Sequence, residues 1–125
     1  MTPLRIAVTG GSGKIGSVVI RTLFKRGHDV INLDRKQASD PIAKFIYLDL
    51  TKREQVQPAL EGMDAVCHLG EIPGPGYVSP EQTYALNVAA GSVVMQSAAD
   101  LGIKRLIYTS SCQAYGCFGT PAVKP

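Results

Sequence analysis

The fold is decided by residues 4–16, which read Leu4-Arg5-Ile6-Ala7-Val8-Thr9-Gly10-Gly11-Ser12-Gly13-Lys14-Ile15-Gly16. The first six of these residues are mostly apolar and rich in strand formers, a pattern typical of a strand buried in a parallel sheet. Behind the glycines, apolar residues recur at helical spacing until Gly27, a residue type that often ends helices. The stretch therefore predicts a strand, a tight glycine turn and a helix.

Within that turn, Gly10, Gly13 and Gly16 have the spacing T-G-x-x-G-x-x-G. Such a turn allows the backbone to approach a pyrophosphate, and the helix behind it offers free N–H groups and the positive end of its dipole. We expect Gly13 to need a positive φ, which a β-branched residue would not adopt without strain. The alternative is a plain tight turn, and the sequence does not match a P-loop.

Asp34 ends the second predicted strand, 18 residues after Gly16. A carboxylate at about this distance accepts hydrogen bonds from the ribose hydroxyls of an adenosine and repels the 2′-phosphate of NADP. Arg35, the next residue, could tolerate that phosphate. We therefore expect NAD as the cofactor and leave NADP open, the alternative being an Asp that only forms a turn.

The rest of the chain alternates strand and helix patterns. Thr51 and Glu54 have the spacing of a capping box at a helix start. The link from Leu33 to Ala43 is too short and polar for a crossover helix, so we expect an irregular connection there. We predict an α/β, Rossmann-like parallel sheet with helices on both faces, five strands in the order 3-2-1-4-5, and an incomplete C-terminal edge. The strands are predicted at 4–9, 29–34, 43–48, 65–69 and 105–109, and the helices at 15–26, 51–60 and 81–101.

Length and composition exclude several classes of protein. The 125 residues predict one domain, 1–125, and 45% hydrophobic with 18% charged residues indicate a globular chain. A net charge of +3 without a basic stripe argues against nucleic acid, and no apolar stretch is long enough to span a membrane. Three Cys residues and no visible secretory signal favour the cytoplasm. We expect no metal site, because Cys67, Cys112 and Cys117 form no ligand motif, and we expect a structural role for His68.

From Arg5 to about Gly116 the chain resembles the extended short-chain dehydrogenase/reductase family, in particular its NAD-dependent epimerase/dehydratase branch. Six motifs occur in the family's order. They are Thr9 to Gly16, Asp34, Tyr47-Leu48-Asp49-Leu50, Cys67-His68-Leu69-Gly70, Asn87-Val88, and Leu106 to Ser111 followed by Tyr115-Gly116.

The resemblance implies roles for individual residues, with NAD as cofactor and a small molecule as substrate. Asp34 would take the ribose, with Arg35 beside it in the cofactor site. Asp49 and Leu50 would bracket the adenine, and Leu69 and Gly70 would pass near the ribose and nicotinamide half. Asn87 would support the site from below, Ser110 would belong to the cofactor site, and Ser111 would be the catalytic residue that hydrogen-bonds the substrate oxygen. The pyrophosphate would be held by Gly10, Gly13, Lys14, Ile15 and Gly16.

Two departures from the family pattern matter. Ala90-Gly91 stands where the family has Gly-Thr, and none of the five Tyr residues has Lys four positions later. The acid/base pair Tyr-x-x-x-Lys is therefore absent, and we interpret the chain as the N-terminal, cofactor-binding part of an enzyme. The expected substrate is a nucleotide sugar, a sugar acid or a related hydroxyl or carbonyl compound. The alternative is a non-catalytic dinucleotide-binding or redox-sensing module, and the helix at 81–101 makes a homodimer possible.

Overall fold

The computed structural model describes residues 2–39, 41–74 and 76–111, and these alternate between strands and helices. Each predicted strand and helix is present, with ends that differ from the prediction by at most two residues. In chain order they are β1 (Arg5–Thr9), α1 (Lys14–Lys25), β2 (Asp29–Asp34), β3 (Lys44–Tyr47), α2 (Arg53–Leu60), β4 (Ala65–His68), α3 (Pro80–Asp100) and β5 (Arg105–Tyr108).

The five strands form one parallel sheet in the order β3-β2-β1-β4-β5, which confirms the predicted topology. β1 lies at the centre, with Val8 opposite Asn32 of β2 and opposite Cys67 of β4. From β1 the chain adds β2 and β3 on one side of that strand, and it later adds β4 and β5 on the other side of β1. The carboxyl end of β1 is therefore the place where a Rossmann-like sheet opens a crevice.

Two apolar layers cover the sheet because successive side chains of a strand point to opposite faces. On one face Ala7 and Leu33 pack with residues of α2 and α3, including Val56 and Val94. On the other face Ile6, Val8, Val30 and Cys67 pack with Ile20 of α1. The helices are thus held on both sides of β1, and α1 begins directly beyond the end of that strand.

The capping box predicted at Thr51 and Glu54 was wrong. α2 begins after Lys52, which makes no side-chain cap. Thr51 instead donates to Oδ1 of Asp49 through its N–H (2.9 Å) and its hydroxyl (2.8 Å). A capping box does occur before α3, where Ser79 and Gln82 exchange side-chain and backbone hydrogen bonds. The prediction failed because Thr51 hydrogen-bonds to Asp49 in the loop before α2, so that the N-cap residue is Lys52 and not Thr51.

The connection between β2 and β3 is irregular, as the sequence predicted. In the part of it that the structure describes, residues 35–39 and 41–43, there is neither helix nor strand. The short link holds β3 beside β2, so that Asp34 lies opposite Tyr47 in the sheet. The residues that follow both strands therefore reach the same edge.

A buried hydrogen-bond network joins the ends of β1 and β4. The Oγ1 atom of Thr9 accepts from the N–H groups of Leu69 and Gly70, both at 3.1 Å. The hydroxyl of Thr9 can then donate its own proton to Nδ1 of His68, and Oγ1 and Nδ1 are 2.6 Å apart. His68 is fully buried, its ring stacks on Tyr108 with centroids 5.5 Å apart, and burial lowers the pKa of His68. A hydroxyl that accepts two N–H groups has only its proton left to give, which assigns Nδ1 as the acceptor and the ring proton to Nε2. Nε2 has no hydrogen-bond partner among the described residues, and burial favours the neutral imidazole.

This arrangement predicts a pH-dependent stability. The unfolded chain protonates His68 near its ordinary pKa of 6.5, whereas the folded chain resists protonation. The contribution of His68 to the free energy of unfolding is therefore fully present above that pH and is lost as pH falls through the lowered folded pKa. Urea unfolding of the parent should show stability falling between about pH 7 and pH 5. His68→Asn should be less stable at neutral pH and should have a flatter profile over this range.

The parent and His68→Asn are compared at each pH, so that contributions common to both chains, including that of His28, cancel in the difference between their slopes. Equal slopes for the parent and His68→Asn would show that the folded chain protonates His68 without cost.

Candidate functional site

A cleft of about 780 Å³ opens at the carboxyl ends of the strands, above β1 and its two neighbours. The glycine turn and the start of α1 form its middle, the ends of β2 and β3 one side, and the end of β4 with α3 the other. The cleft brings together twelve of the residues that the sequence singled out: Gly10, Gly13, Lys14, Ile15, Gly16, Asp34, Arg35, Asp49, Leu50, Leu69, Gly70 and Asn87.

Two glycines of the turn have no room for a side chain. Gly10 has φ +66°, and a Cβ on it would lie 2.7 Å from Cα of Gly70. A Cβ on Gly16 would lie 2.1 Å from the carbonyl oxygen of Gly10. The turn is therefore compressed between the end of β4 and the first turn of α1, and only glycine fits at both positions.

Gly13 differs from the prediction. Its φ is −76°, so the expectation of a positive φ was wrong. A Cβ there would lie 3.3 Å from the carbonyl oxygen of Gly10, a tight contact and the nearest one. Gly13 is exposed and lines the cleft, so its missing side chain leaves open space above the helix start. A side chain at this position would therefore meet the carbonyl oxygen of Gly10 on one side and open cleft on the other.

The N-terminus of α1 presents donors to this space. Gly13 is the N-cap and offers no side-chain acceptor to the helix. Lys14, Ile15 and Gly16 occupy the first turn, where backbone N–H groups lack partners within the helix. All three residues line the cleft. These N–H groups, the helix dipole and the Lys14 ammonium suit an anionic group with several oxygens.

Asp34 stands at the end of β2 and holds the turn in place. Its Oδ2 accepts from the N–H of Ser12 at 3.0 Å, and its Oδ1 accepts from the N–H of Arg35 at 2.7 Å and of Lys36 at 3.3 Å. The side chain is half-buried and lines the cleft. A carboxylate has about four acceptor positions, so Asp34 retains capacity for a ligand hydroxyl.

Arg35 and Asp49 form an ion pair across the neighbouring wall, with Nη2 and Oδ2 2.6 Å apart. The hydrogen bond from Arg35 is the largest effect on the pKa of Asp49; burial opposes it, and the N–H and hydroxyl of Thr51 add to it, so that this pKa lies at about 2. The same pairing raises the pKa of Arg35. Asp49 is therefore an ionised acceptor, and much of the charge of Arg35 is neutralised by it.

At the opposite end, Asn87 of α3 fixes the loop that follows β4. Its Oδ1 accepts from the N–H of Ile72 at 2.8 Å, and its Nδ2 donates to the carbonyl of Ile72 at 3.1 Å. Both residues line the cleft, together with Leu69 and Thr109. This wall is mostly apolar and is positioned by a single amide side chain.

Ser110 and Ser111 do not join this set. Both are exposed and lie beyond Thr109, outside the cleft lining. Conversely, the structure adds Ser12, Lys36 and Glu71, which the sequence prediction missed. Each is adjacent in the sequence to a predicted residue, and this adjacency was the signal that could have identified it.

Two other features do not occur in the described part of the chain. In residues 2–39, 41–74 and 76–111, no three His, Cys, Asp or Glu side chains come close enough to hold a metal ion. No helix in the same ranges is long and apolar enough to cross a membrane. Cys112, Tyr115 and Cys117 lie outside the described residues.

Comparison with known proteins agrees with the geometry. The chain is 34% identical over 108 residues to the human sterol-4-alpha-carboxylate 3-dehydrogenase, decarboxylating, covering 86% of this chain and 29% of that protein. It is 34% identical over 122 residues to the UDP-glucose 4-epimerase of Lactobacillus helveticus, covering 90% and 37%. The chain thus spans about a third of the length of these relatives.

Solved structures of similar sequence share the fold. The UDP-glucose 4-epimerase of Thermus thermophilus, solved in complex with NAD, superposes with a TM-score of 0.79 at 26% identity, over 86% of this chain and 38% of that one. The model of the NAD dependent epimerase/dehydratase family matches residues 6–124. The chain therefore belongs to the NAD-dependent epimerase/dehydratase family.

Proposed function

We propose that the cleft binds NAD, with NADP as the weaker alternative, and that this chain is the cofactor-binding part of an oxidoreductase or epimerase. The observation that carries the proposal is the pairing of two features in one cleft. The unpartnered N–H groups of Lys14, Ile15 and Gly16 suit a pyrophosphate, and the carboxylate of Asp34 lies beside them at the end of the neighbouring strand.

In this proposal each wall of the cleft has a separate task. The start of α1 and Lys14 bind the pyrophosphate, and Asp34 accepts from the adenosine ribose. Asp49, kept ionised by Arg35, accepts from the adenine amino group, and Leu50 packs against the base. Asn87 holds the apolar loop at Ile72 in place along the other half of the cleft.

The nicotinamide group, when bound, supplies a hydride acceptor or donor. Ser111 would hold the substrate oxygen and Ser110 would complete the cofactor site; both follow the end of β5 at Tyr108 and are exposed outside the cleft lining. We infer a small-molecule substrate with a hydroxyl or carbonyl group, namely a nucleotide sugar, a sugar acid or a related compound. The relative and the solved structure that are named UDP-glucose 4-epimerases support a nucleotide sugar, and the relative named a sterol-4-alpha-carboxylate 3-dehydrogenase supports a related hydroxyl or carbonyl compound.

Two glycine substitutions separate ligand binding from folding. Gly13→Val should abolish NAD binding and lower stability less than Gly16→Ala, because its side chain would project into the exposed cleft and its Cβ would lie 3.3 Å from the oxygen of Gly10, against 2.1 Å for a Cβ on Gly16. Gly16→Ala should lower the free energy of unfolding by about 1–3 kcal/mol, because its Cβ meets backbone. Calorimetric titration with NAD and urea unfolding measure the two effects.

Thr22→Val is the control, since it places a β-branched side chain on the exposed part of α1 away from the cleft lining. It should bind NAD like the parent. If Gly13→Val binds NAD with the affinity of the parent, the glycine turn has no role in cofactor binding.

A second substitution tests the cofactor preference. The parent should bind NAD at least about tenfold more tightly than NADP, because the 2′-phosphate would meet Asp34 while Arg35 is held by Asp49. Asp34→Asn keeps one acceptor oxygen but removes the charge, so the ratio of the two Kd values should approach one. Asp29→Asn removes the same charge at the far end of β2 and should leave the ratio unchanged. Equal NAD and NADP affinities in the parent would contradict this assignment.

A further inference from the structure

The charged residues of the cleft are unevenly distributed. Of the described residues that line it, Lys14, Asp34, Arg35, Lys36 and Asp49 belong to the glycine-turn side, at the start of α1 and after β2 and β3. At the other end, formed by residues 69–74, Tyr77, α3 and Thr109, Glu71 is the one charged side chain in this part of the lining. One half of the cleft therefore carries a single, negative charge.

Glu71 is held in position from two directions. Its N–H donates to the carbonyl of Leu69 at 3.0 Å, which turns the backbone directly after β4. Its carboxylate accepts a hydrogen bond from the hydroxyl of Tyr108, whose pKa this contact raises. The Tyr108 ring in turn stacks on the buried ring of His68. The carboxylate is thus anchored to the hydroxyl of an exposed tyrosine whose ring packs on the core.

The position of Glu71 relative to a dinucleotide follows from the proposed function, on which this inference rests. Asp34 and Asp49 take the adenosine half, and the start of α1 takes the pyrophosphate. The second nucleoside then has to lie on the remaining side, along residues 69–74 and Thr109. That nucleoside carries the nicotinamide ring, which bears a positive charge in NAD+ and none in NADH.

We propose that Glu71 makes this cleft prefer the oxidised cofactor over the reduced one. A fixed carboxylate attracts the nicotinamide cation and gives no such attraction to the neutral dihydronicotinamide. Lys14 does not cancel the effect, because it faces the pyrophosphate, whose charge is the same in both forms. Tighter binding of NAD+ than of NADH makes the bound cofactor a weaker hydride acceptor than the free one.

The test is a pair of titrations of this chain, one with NAD+ and one with NADH, at low salt. The parent should have the larger Kd for NADH. Glu71→Gln keeps an acceptor for Tyr108 and removes the charge, so the ratio Kd(NADH)/Kd(NAD+) should fall by about threefold to tenfold. Glu71→Asp retains the charge and should keep most of the preference. Glu61→Gln removes an exposed charge outside the cleft lining and should leave the ratio unchanged.

The ionic strength provides a second readout that needs no variant. Raising the salt concentration should lower the ratio Kd(NADH)/Kd(NAD+) of the parent toward one, because screening weakens the attraction between the carboxylate and the nicotinamide cation. A ratio that neither salt nor Glu71→Gln changes, with both cofactors binding, overturns this inference and leaves the proposed function intact. Failure of both cofactors to bind overturns the proposed function, and the inference with it.

Discussion

The contact between the glycine turn and the end of β4 governs the rest of the site. Cα of Gly70 lies so close to Gly10 that a Cβ on Gly10 would be 2.7 Å from it. Thr9 holds this contact by accepting the N–H groups of both Leu69 and Gly70 while donating to the buried His68. Because α1 begins directly after the turn, this one junction fixes where the helix N-terminus points and where the loop after β4 runs.

From that junction the cleft divides into halves of different chemistry. On one side Asp34 ties the turn to β2, and the Arg35–Asp49 ion pair forms a polar wall. On the other side the wall is largely apolar, is fixed by Asn87 on α3 and carries the one carboxylate of Glu71. A dinucleotide also has two unlike halves joined by a pyrophosphate. The difference between the polar and the apolar wall therefore defines the direction in which the dinucleotide would lie.

The fold was predictable from the sequence because strand, turn and helix signals agree along the chain. The site was predictable where a family motif names the residue, as for Gly10, Asp34 and Asn87, all of which line the cleft. Contacts between distant residues were not predictable: Asp49 competes for Thr51 and displaces the expected cap of α2. The backbone angle of Gly13 was missed because glycine spacing does not reveal which glycine takes the positive φ. The role of Glu71 depends on Tyr108, 37 positions later, and no local pattern joins them.

The central claim is that a dinucleotide lies across this cleft with its pyrophosphate at the start of α1. The most direct measurement is a titration of the isotopically labelled chain with NAD+, followed by the NMR shifts of its backbone amides. The largest shifts should fall on Lys14, Ile15 and Gly16, with further shifts at Asp34 and Asp49 on one side and at residues 69–71 on the other. Shifts confined to the outer faces of the helices, with residues 14–16 unchanged, would contradict the account.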